Sequence, residues 1–289
     1  MDLWIILTPI LKTFFYIVSF LALGTVSFVR HFHQFQTAEN AEFCKGLSIK
    51  ACKFGIAISA GLVFSVAGNL GGEIWSLFDP TIFSIAIASR GGNAACLALL
   101  GFALILIGKS HESGSLSVLV WVGVLLLLAS FIWTGHAQKA GLIAQGVLSL
   151  HLIGIAFWLG SFFPLQRMCS ALETESLYKI ASRFGTLAIF YVCLLIISGL
   201  VFAYILIVDL SLLFSTVYGN VFLLKMTFVS SLLGLGALNK FRLVPLIKMN
   251  PSIGAQRLQK SIQIEMFIAL LILSFSGFLT TSTTLPMGG

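Results

Sequence analysis

The sequence predicts an all-α polytopic membrane protein with eight transmembrane helices. Hydrophobic residues make up 58% of the chain and charged residues only 9%, whereas soluble domains carry about 25% charged residues. Runs of about 20 apolar residues, the length needed to cross a bilayer as a helix, recur along the 289 residues. The runs are continuous and rich in Leu, Ile and Phe, so helices are the spanning elements that fit them.

Hydropathy places the eight spans between short polar connections. They cover residues 3–29, 51–70, 82–108, 116–134, 141–165, 184–208, 219–239 and 262–284. We expect the first to be a retained span rather than a signal peptide, because it has neither a basic n-region nor a small-residue cleavage site. Arg90-Gly91-Gly92 interrupts the third, which predicts a short interfacial piece from Pro80 to Ser89 before the true helix.

The basic residues predict how the chain is oriented in the membrane. Of the 17 Lys and Arg residues, 13 fall in or beside the connections after the first, third, fifth and seventh spans. Cytoplasmic connections carry an excess of Lys and Arg, so both termini are expected on the outer side. This placement also explains the net charge of +7 without a nucleic-acid partner.

A short internal repeat divides the predicted helices into two groups of four. AGLVFS (60–65) in the second span recurs as SGLVFA (198–203) in the sixth. Two four-helix units related in this way would have the same orientation, which is a parallel repeat. We therefore expect an N-terminal membrane half, residues 1–140, and a C-terminal membrane half, residues 141–289.

Two histidines interrupt the apolar stretch from 134 to 165. His136 follows the fourth span, and His151 lies inside the fifth, two turns before Trp158. Polar residues inside membrane spans usually face a bundle interior or a cavity. The two imidazoles are therefore candidate metal ligands. They would bind an ion one after the other along one path or, if the chain bends, together at one site. The alternative is that one caps a helix and the other is a hydrogen-bonded core residue.

Two charged residues also fall within predicted spans. Glu265 lies near the cytoplasmic end of the eighth, and Lys225 lies near the outer end of the seventh. A charge at such a depth costs several kcal/mol unless it has a partner. Glu265 is a candidate proton acceptor, cation ligand or partner of a basic residue such as Arg183. Lys225 extends outward in the simplest alternative.

Further candidate metal ligands lie near the ends of the spans. His31 and His33 follow the first span, and Cys44 and Cys52 come next, so imidazole and thiolate ligands for Cu(I) could form a hand-off surface there. Met287, near the C-terminus, is a candidate thioether ligand close to His136. An ordinary solvated loop and an unstructured tail are the alternatives.

The sequence lacks the motifs of several enzyme classes. It contains no GxxxxGK[ST] phosphate-binding loop, no HExxH zinc motif and no phosphorylated-aspartate motif of metal-pumping ATPases. We therefore expect a protein that is not an enzyme.

Several segments of the second half resemble the copper resistance protein D (CopD) family. They are TGHA (134–137), HLIGIAFWLGSFFPL (151–165), RFGTLAIFYVCLLIISGLVFA (183–203), YGNVFLLK (218–225), ALNKFRLVP (237–245) and SIQIEMF (261–267). They occur in the family's order. One departure is Lys240, which stands where the family pattern has Arg.

The resemblance implies a bacterial inner-membrane protein that moves copper ions between periplasm and cytoplasm, beside a small periplasmic copper-binding partner. It places His136 and His151 on the copper path and leaves Trp158, Lys225 and Glu265 as motif residues without an assigned role. Two alternatives remain at this stage. One is a haem-binding electron carrier with His136 and His151 as axial ligands. The other is a non-transporting scaffold for assembling a copper cofactor.

Overall fold

The computed structural model describes residues 3–110, 117–134, 141–206 and 211–281, and these residues are helical without any strand. The main helices are α1 Leu3–Phe32, α2 Ala38–Gly71, α3 Pro80–Ala88, α4 Arg90–Ser110, α5 Ser117–Ile132, α6 Leu142–Ser170, α7 Thr174–Leu206, α8 Val217–Leu238, α9 Val244–Met249 and α10 Pro251–Thr281. Shorter turns are the 3₁₀ helix Ile74–Phe78, the single turn Leu212–Ser215 and the π-helical turn Asn239–Leu243. The predicted all-α class is confirmed.

Seven helical segments in the described part of the chain are long and apolar enough to cross a membrane. They comprise α1, α2, α4, α6, α7, α10 and the continuous segment Val217–Met249. The remaining predicted span, the fourth, corresponds to α5, which is apolar but has only 16 described residues. Seven spans are therefore supported by length and composition, and the count of eight and the internal repeat remain predictions.

The predicted interruption of the third span is present. Asp79 caps α3, its carboxylate accepting hydrogen bonds from the backbone N–H groups of Thr81 at 2.8 Å and Ile82 at 3.3 Å. Pro80 occupies the first helical turn, where its missing N–H costs nothing. The chain becomes extended at Ser89, and α4 begins at Arg90.

Three helices begin well before their predicted spans. α2 starts at Ala38 rather than residue 51, α7 at Thr174 rather than 184, and α10 at Pro251 rather than 262. Hydropathy detects only the apolar part of a helix, whereas these extensions are polar and basic. Thr37 caps the first of them by accepting a hydrogen bond from the Asn40 N–H.

α1 is the helix that joins the two halves of the bundle. It packs against α2 and also against α6 and α10. Gly24 of α1 and Gly160 of α6 bring the two backbones into contact, at a separation that leaves no room for a side chain at either position. The N-terminal part of α1 lies beside the C-terminal end of α10, where the hydroxyls of Tyr16 and Thr280 are 3.1 Å apart. The N-terminal end of α1 and the C-terminal end of α10 are therefore on the same face of the bundle.

Large apolar side chains cover the outer surface of the bundle. Phe54, Phe190 and Phe241 are each about two-thirds exposed, at 65%, 66% and 70%. Such a surface is unfavourable in water and suits contact with lipid acyl chains. The fold and its surface are those of a polytopic membrane protein.

Candidate functional site

Helix α6 carries His151 and Trp158 on one face. Seven residues separate them, which is two helical turns or about 10 Å along the axis. Each side chain meets polar groups from other helices, and these groups define two adjacent clusters along the same face of α6.

The first cluster surrounds His151. Its Nδ1 is 3.0 Å from the backbone carbonyl oxygen of Leu195 on α7. The hydroxyl of Ser198 lies 3.4 Å from the same nitrogen and donates to the same carbonyl. Because a carbonyl only accepts, Nδ1 carries the proton in this contact, and the lone pair of the neutral ring is on Nε2. The predicted ligand is therefore oriented with Nε2 as its ligating atom.

Lys225 of α8 lies within electrostatic range of His151. The sequence places Lys225 and Glu265 near opposite ends of their spans and predicts that Lys225 extends outward. Its proximity to His151 means that a cation held on Nε2 would be repelled by the ammonium group, if that group is charged. A cation at this position is therefore held less tightly than imidazole alone would allow.

The second cluster is centred on Glu265 of α10, which is only 2% exposed. The indole Nε1–H of Trp158 donates to its Oε2 at 3.3 Å. The side-chain amide of Asn239 donates to Oε1. Both donors are neutral. The basic partner considered from the sequence, Arg183, instead places its guanidinium 5.7 Å from the ring of Phe35.

Asn239 is a polar residue of this cluster that the sequence analysis did not identify. It begins the π-helical turn Asn239–Leu243, and its Oδ1 is buried with no hydrogen-bond partner in the described structure. Single π turns within helices occur frequently at functional sites. The signal in the sequence was an amide inside ALNKFRLVP, a segment already singled out for its resemblance. The unpaired side-chain oxygen of Asn239 lies beside the carboxylate of Glu265, and together these oxygens can bind a cation or a proton.

A cavity of about 240 Å³ adjoins the second cluster. Its polar lining residues are Trp158, Ser161, Asn239, Lys240 and Glu265, together with the thiol of Cys193, and the remaining wall is mostly apolar. Gly236 makes room for the indole, because a Cβ at that position would lie 2.8 Å from Cζ2 of Trp158. The carboxylate therefore lines an accessible space instead of being enclosed in a packed core.

The two histidines at the end of α1 are not arranged as open ligands. His31 receives a hydrogen bond from the Tyr191 hydroxyl at Nε2, at 3.1 Å, and its Nδ1 lies 2.8 Å from the Ser27 carbonyl. Both ring nitrogens are thus occupied. His33 is exposed beside the Arg30 carbonyl, while Cys44 and Cys52 are fully buried on α2. The loop expected here is mostly helix, and the four residues do not form the predicted hand-off surface.

Two predicted ligands, His136 and Met287, lie outside the described residues. Within the described ranges, no three His, Cys, Asp or Glu side chains are grouped so that they could hold a metal ion together. His151 of α6, which contacts Leu195, and Glu265 of α10, which contacts Trp158, are separate positions.

These features define a polytopic helical membrane protein. One face of α6 carries an oriented imidazole, His151, and the indole of Trp158 on the same face contacts a buried carboxylate, Glu265 of α10. Residues 178–279 match the family model of copper resistance protein D. That segment contains Glu265, Asn239, Lys225 and Leu195. The match supports the resemblance to the CopD family seen in the sequence, over residues 178–279.

A similar protein also has a name that refers to copper. The copper transport protein CutJ of Bacillus subtilis (strain 168) is 27% identical over 205 residues, which is 64% of this chain. The alignment covers 37% of the relative, so the chain spans little more than a third of its length. No solved structure matches the chain. The two names support a role in copper handling.

Proposed function

We propose that the protein moves copper ions between the periplasm and the cytoplasm, along the face of α6 that carries His151 and Trp158. The observation that carries the proposal is Glu265, a buried carboxylate that lines a cavity and is hydrogen-bonded only by neutral donors. Lys240 also lines the cavity, but its ammonium group donates to the Gly185 carbonyl and not to Glu265. A buried carboxylate without an ion-pair partner is costly, so the site is suited to a cation that arrives and leaves. Copper is then the transported substrate, and the enclosing residues need not hold it permanently.

His151 supplies the soft ligand of this path. The Leu195 carbonyl fixes the ring so that Nε2 is free to bind copper without adding a buried charge. His136, immediately before α6 in the sequence, would pass the ion to it from the periplasmic side, and Met287 would add a thioether there. A small periplasmic copper-binding protein is the natural source of the ion.

Glu265 supplies the neutralising charge further along the path. A monovalent copper ion beside this carboxylate forms a neutral pair, which lowers the cost of leaving water. The Oδ1 of Asn239 is available to complete the contact. Trp158 and Asn239 keep the carboxylate oriented towards the cavity. The membrane potential favours inward movement of a cation by about 2.3 kcal/mol per elementary charge per 100 mV.

The proposal includes eight spans in the bacterial inner membrane and two periplasmic termini. The ends of α1 and α10 lie on the same face of the bundle, and a chain that starts and finishes on one face crosses the membrane an even number of times. With α5 as a crossing, the count is eight. The basic connections lie on the other face, which is then cytoplasmic.

Copper uptake in cells tests the path. We expect His151→Ala to lower copper accumulation at least tenfold at equal protein level in the membrane. His33→Ala, a change at an exposed histidine outside the path, should leave accumulation unchanged. Normal uptake by His151→Ala would remove His151 from the mechanism.

Analysis of the purified protein separates the competing functions. Copper in a preparation without a haem absorption band supports the proposal, and a haem band that His151→Ala abolishes would support the electron carrier. If the purified protein holds copper but cells expressing it accumulate no more than cells without it, the chain is a scaffold.

A further inference from the structure

A second cavity, of about 640 Å³, lies in the N-terminal half of the bundle and has no part in the proposed copper path. Residues of α1, α2 and α4 form most of its wall, at the end of the bundle that carries the N-terminus. Lys12 lines it. The ammonium group of Lys12 also lies 5.6 Å from the centre of the Phe15 ring.

The polar side chains around Lys12 are neutral. Thr8, Ser65 and Asn69 form a hydrogen-bonded group, with 2.6 Å between the two hydroxyls and 3.1 Å from the Asn69 amide to Thr8. Among the described residues that line the cavity, none is acidic. Arg90, which is exposed, lies in sequence between two further lining residues, Ser89 and Gly91. The cavity therefore has a positive charge at its wall and suits an anionic group.

Lys12 lies nine residues, or about 14 Å, from the start of α1. α1 has 30 residues and is about 45 Å long, whereas the hydrocarbon core is about 30 Å thick. Several residues at the N-terminal end of α1 therefore project beyond the hydrocarbon. Side chains on a helix tilt towards its N-terminus, so the Lys12 stem carries the ammonium group back towards that interface.

The rim of the cavity is apolar and exposed. Ile5 and Leu70 both line it, and they are 57% and 54% exposed. In a bilayer such side chains contact acyl chains, so the cavity opens towards lipid and not only towards water. Its volume is also within the range of pockets that enclose a drug-sized ligand, and is more than a small inorganic ion needs.

We propose that this cavity binds the phosphate group of an anionic phospholipid. Lys12 contacts the phosphate, Thr8 and Ser65 present hydroxyls to the headgroup, and the acyl chains lie against Ile5 and Leu70. The site is independent of copper, since it shares no lining residue with the cavity beside Glu265.

Lipid binding to the purified, delipidated full-length protein tests the proposal. We expect phosphatidylglycerol to bind more tightly than phosphatidylcholine by about fivefold, the effect of about one lysine near a membrane surface. Lys12→Met should bring the two lipids within twofold of one another. Lys12→Arg should retain the preference, and Lys50→Met, at an exposed lysine towards the other end of α2, should also retain it.

Three results would overturn the assignment. One is a wild-type protein without preference for phosphatidylglycerol, and another is a Lys12→Met variant, helical by circular dichroism, that keeps the full preference. The third is displacement of phosphatidylglycerol by millimolar inorganic phosphate, which would identify a small-anion site. Copper uptake is not the readout, so failure here leaves the copper path untouched.

Discussion

The two cavities of the bundle differ in the charge that lines them. The cavity in the N-terminal half has an ammonium group, Lys12, among hydroxyls and an amide. The cavity in the C-terminal half has a carboxylate, Glu265, held by an indole and an amide, and also Lys240, whose ammonium group donates to the Gly185 carbonyl at 2.7 Å. A cation is favoured beside the second and disfavoured beside the first. The buried carboxylate lies in the segment that matches the CopD family model, whereas the described lining of the other cavity has no acidic residue.

The largest effect is expected at the carboxylate itself. Glu265→Gln keeps the shape of the side chain but replaces one of its two acceptor oxygens by a donating NH2 group, and it removes the charge proposed to neutralise a passing cation. We expect copper accumulation to fall by at least about tenfold, because a buried cation without its counter-charge loses more than 1.4 kcal/mol. Glu175→Gln is the matched control, since Glu175 is an exposed residue paired with Lys179 at 2.6 Å.

Copper uptake measured at matched membrane levels decides this comparison. Equal loss in both carboxylate variants would show that the effect is general to acidic residues. Wild-type uptake by Glu265→Gln would return Glu265 to a packing role.

The glycines of α8 test whether the position of the indole matters. Gly236→Leu inserts a side chain where Trp158 now lies, so the indole must move away from Glu265. Gly234→Leu, one half-turn earlier, meets no atom within 4 Å of its new Cβ. We expect several-fold lower copper uptake in the first variant and near-normal uptake in the second. Equal behaviour would mean that orientation by Trp158 is unimportant.

A smaller change at Trp158 isolates its hydrogen bond. Trp158→Phe keeps an aromatic ring but removes the N–H that donates to Glu265. A hydrogen bond to a charged group contributes about 1.5–3 kcal/mol, and part of it is recovered by rearrangement. We expect a roughly threefold to tenfold reduction in uptake. Combined with Glu265→Gln, the change should add little further loss, whereas additive losses would show that the two residues act separately.

The smallest effect is expected at Lys225, and it has the opposite sign. Lys225→Met removes a positive charge close to His151. Copper should then bind more tightly near His151, with a roughly twofold to fivefold lower external concentration for half-maximal uptake. Lys50→Met serves as the control for the loss of one positive charge. Weaker apparent binding in Lys225→Met would mean that Lys225 supports the path instead of opposing it.

The sequence determined the elements and the unusual residues, because both are local properties. Hydropathy identified the apolar part of each long helix, and the Arg90-Gly91-Gly92 interruption predicted the break between α3 and α4. The sequence also identified four unusual residues, since a polar or charged side chain is conspicuous within an apolar run. They are His151, Trp158, Lys225 and Glu265. Their depth along each helix follows from counting residues.

Only the tertiary structure decided which of these residues meet. An apolar run specifies how deep a residue lies, but it does not specify how the helix is rotated or which helix is its neighbour. Trp158 reaches Glu265 across 107 residues of chain, and the close contact of Gly24 with Gly160 brings α1 against the same helix, α6. Asn239 joins the cluster at a π turn. The helix extensions escape hydropathy because their polar residues lower the local average, although Leu177, Ile180 and Leu258 within them are buried in the core. These contacts arise from packing between distant segments, which no local pattern encodes.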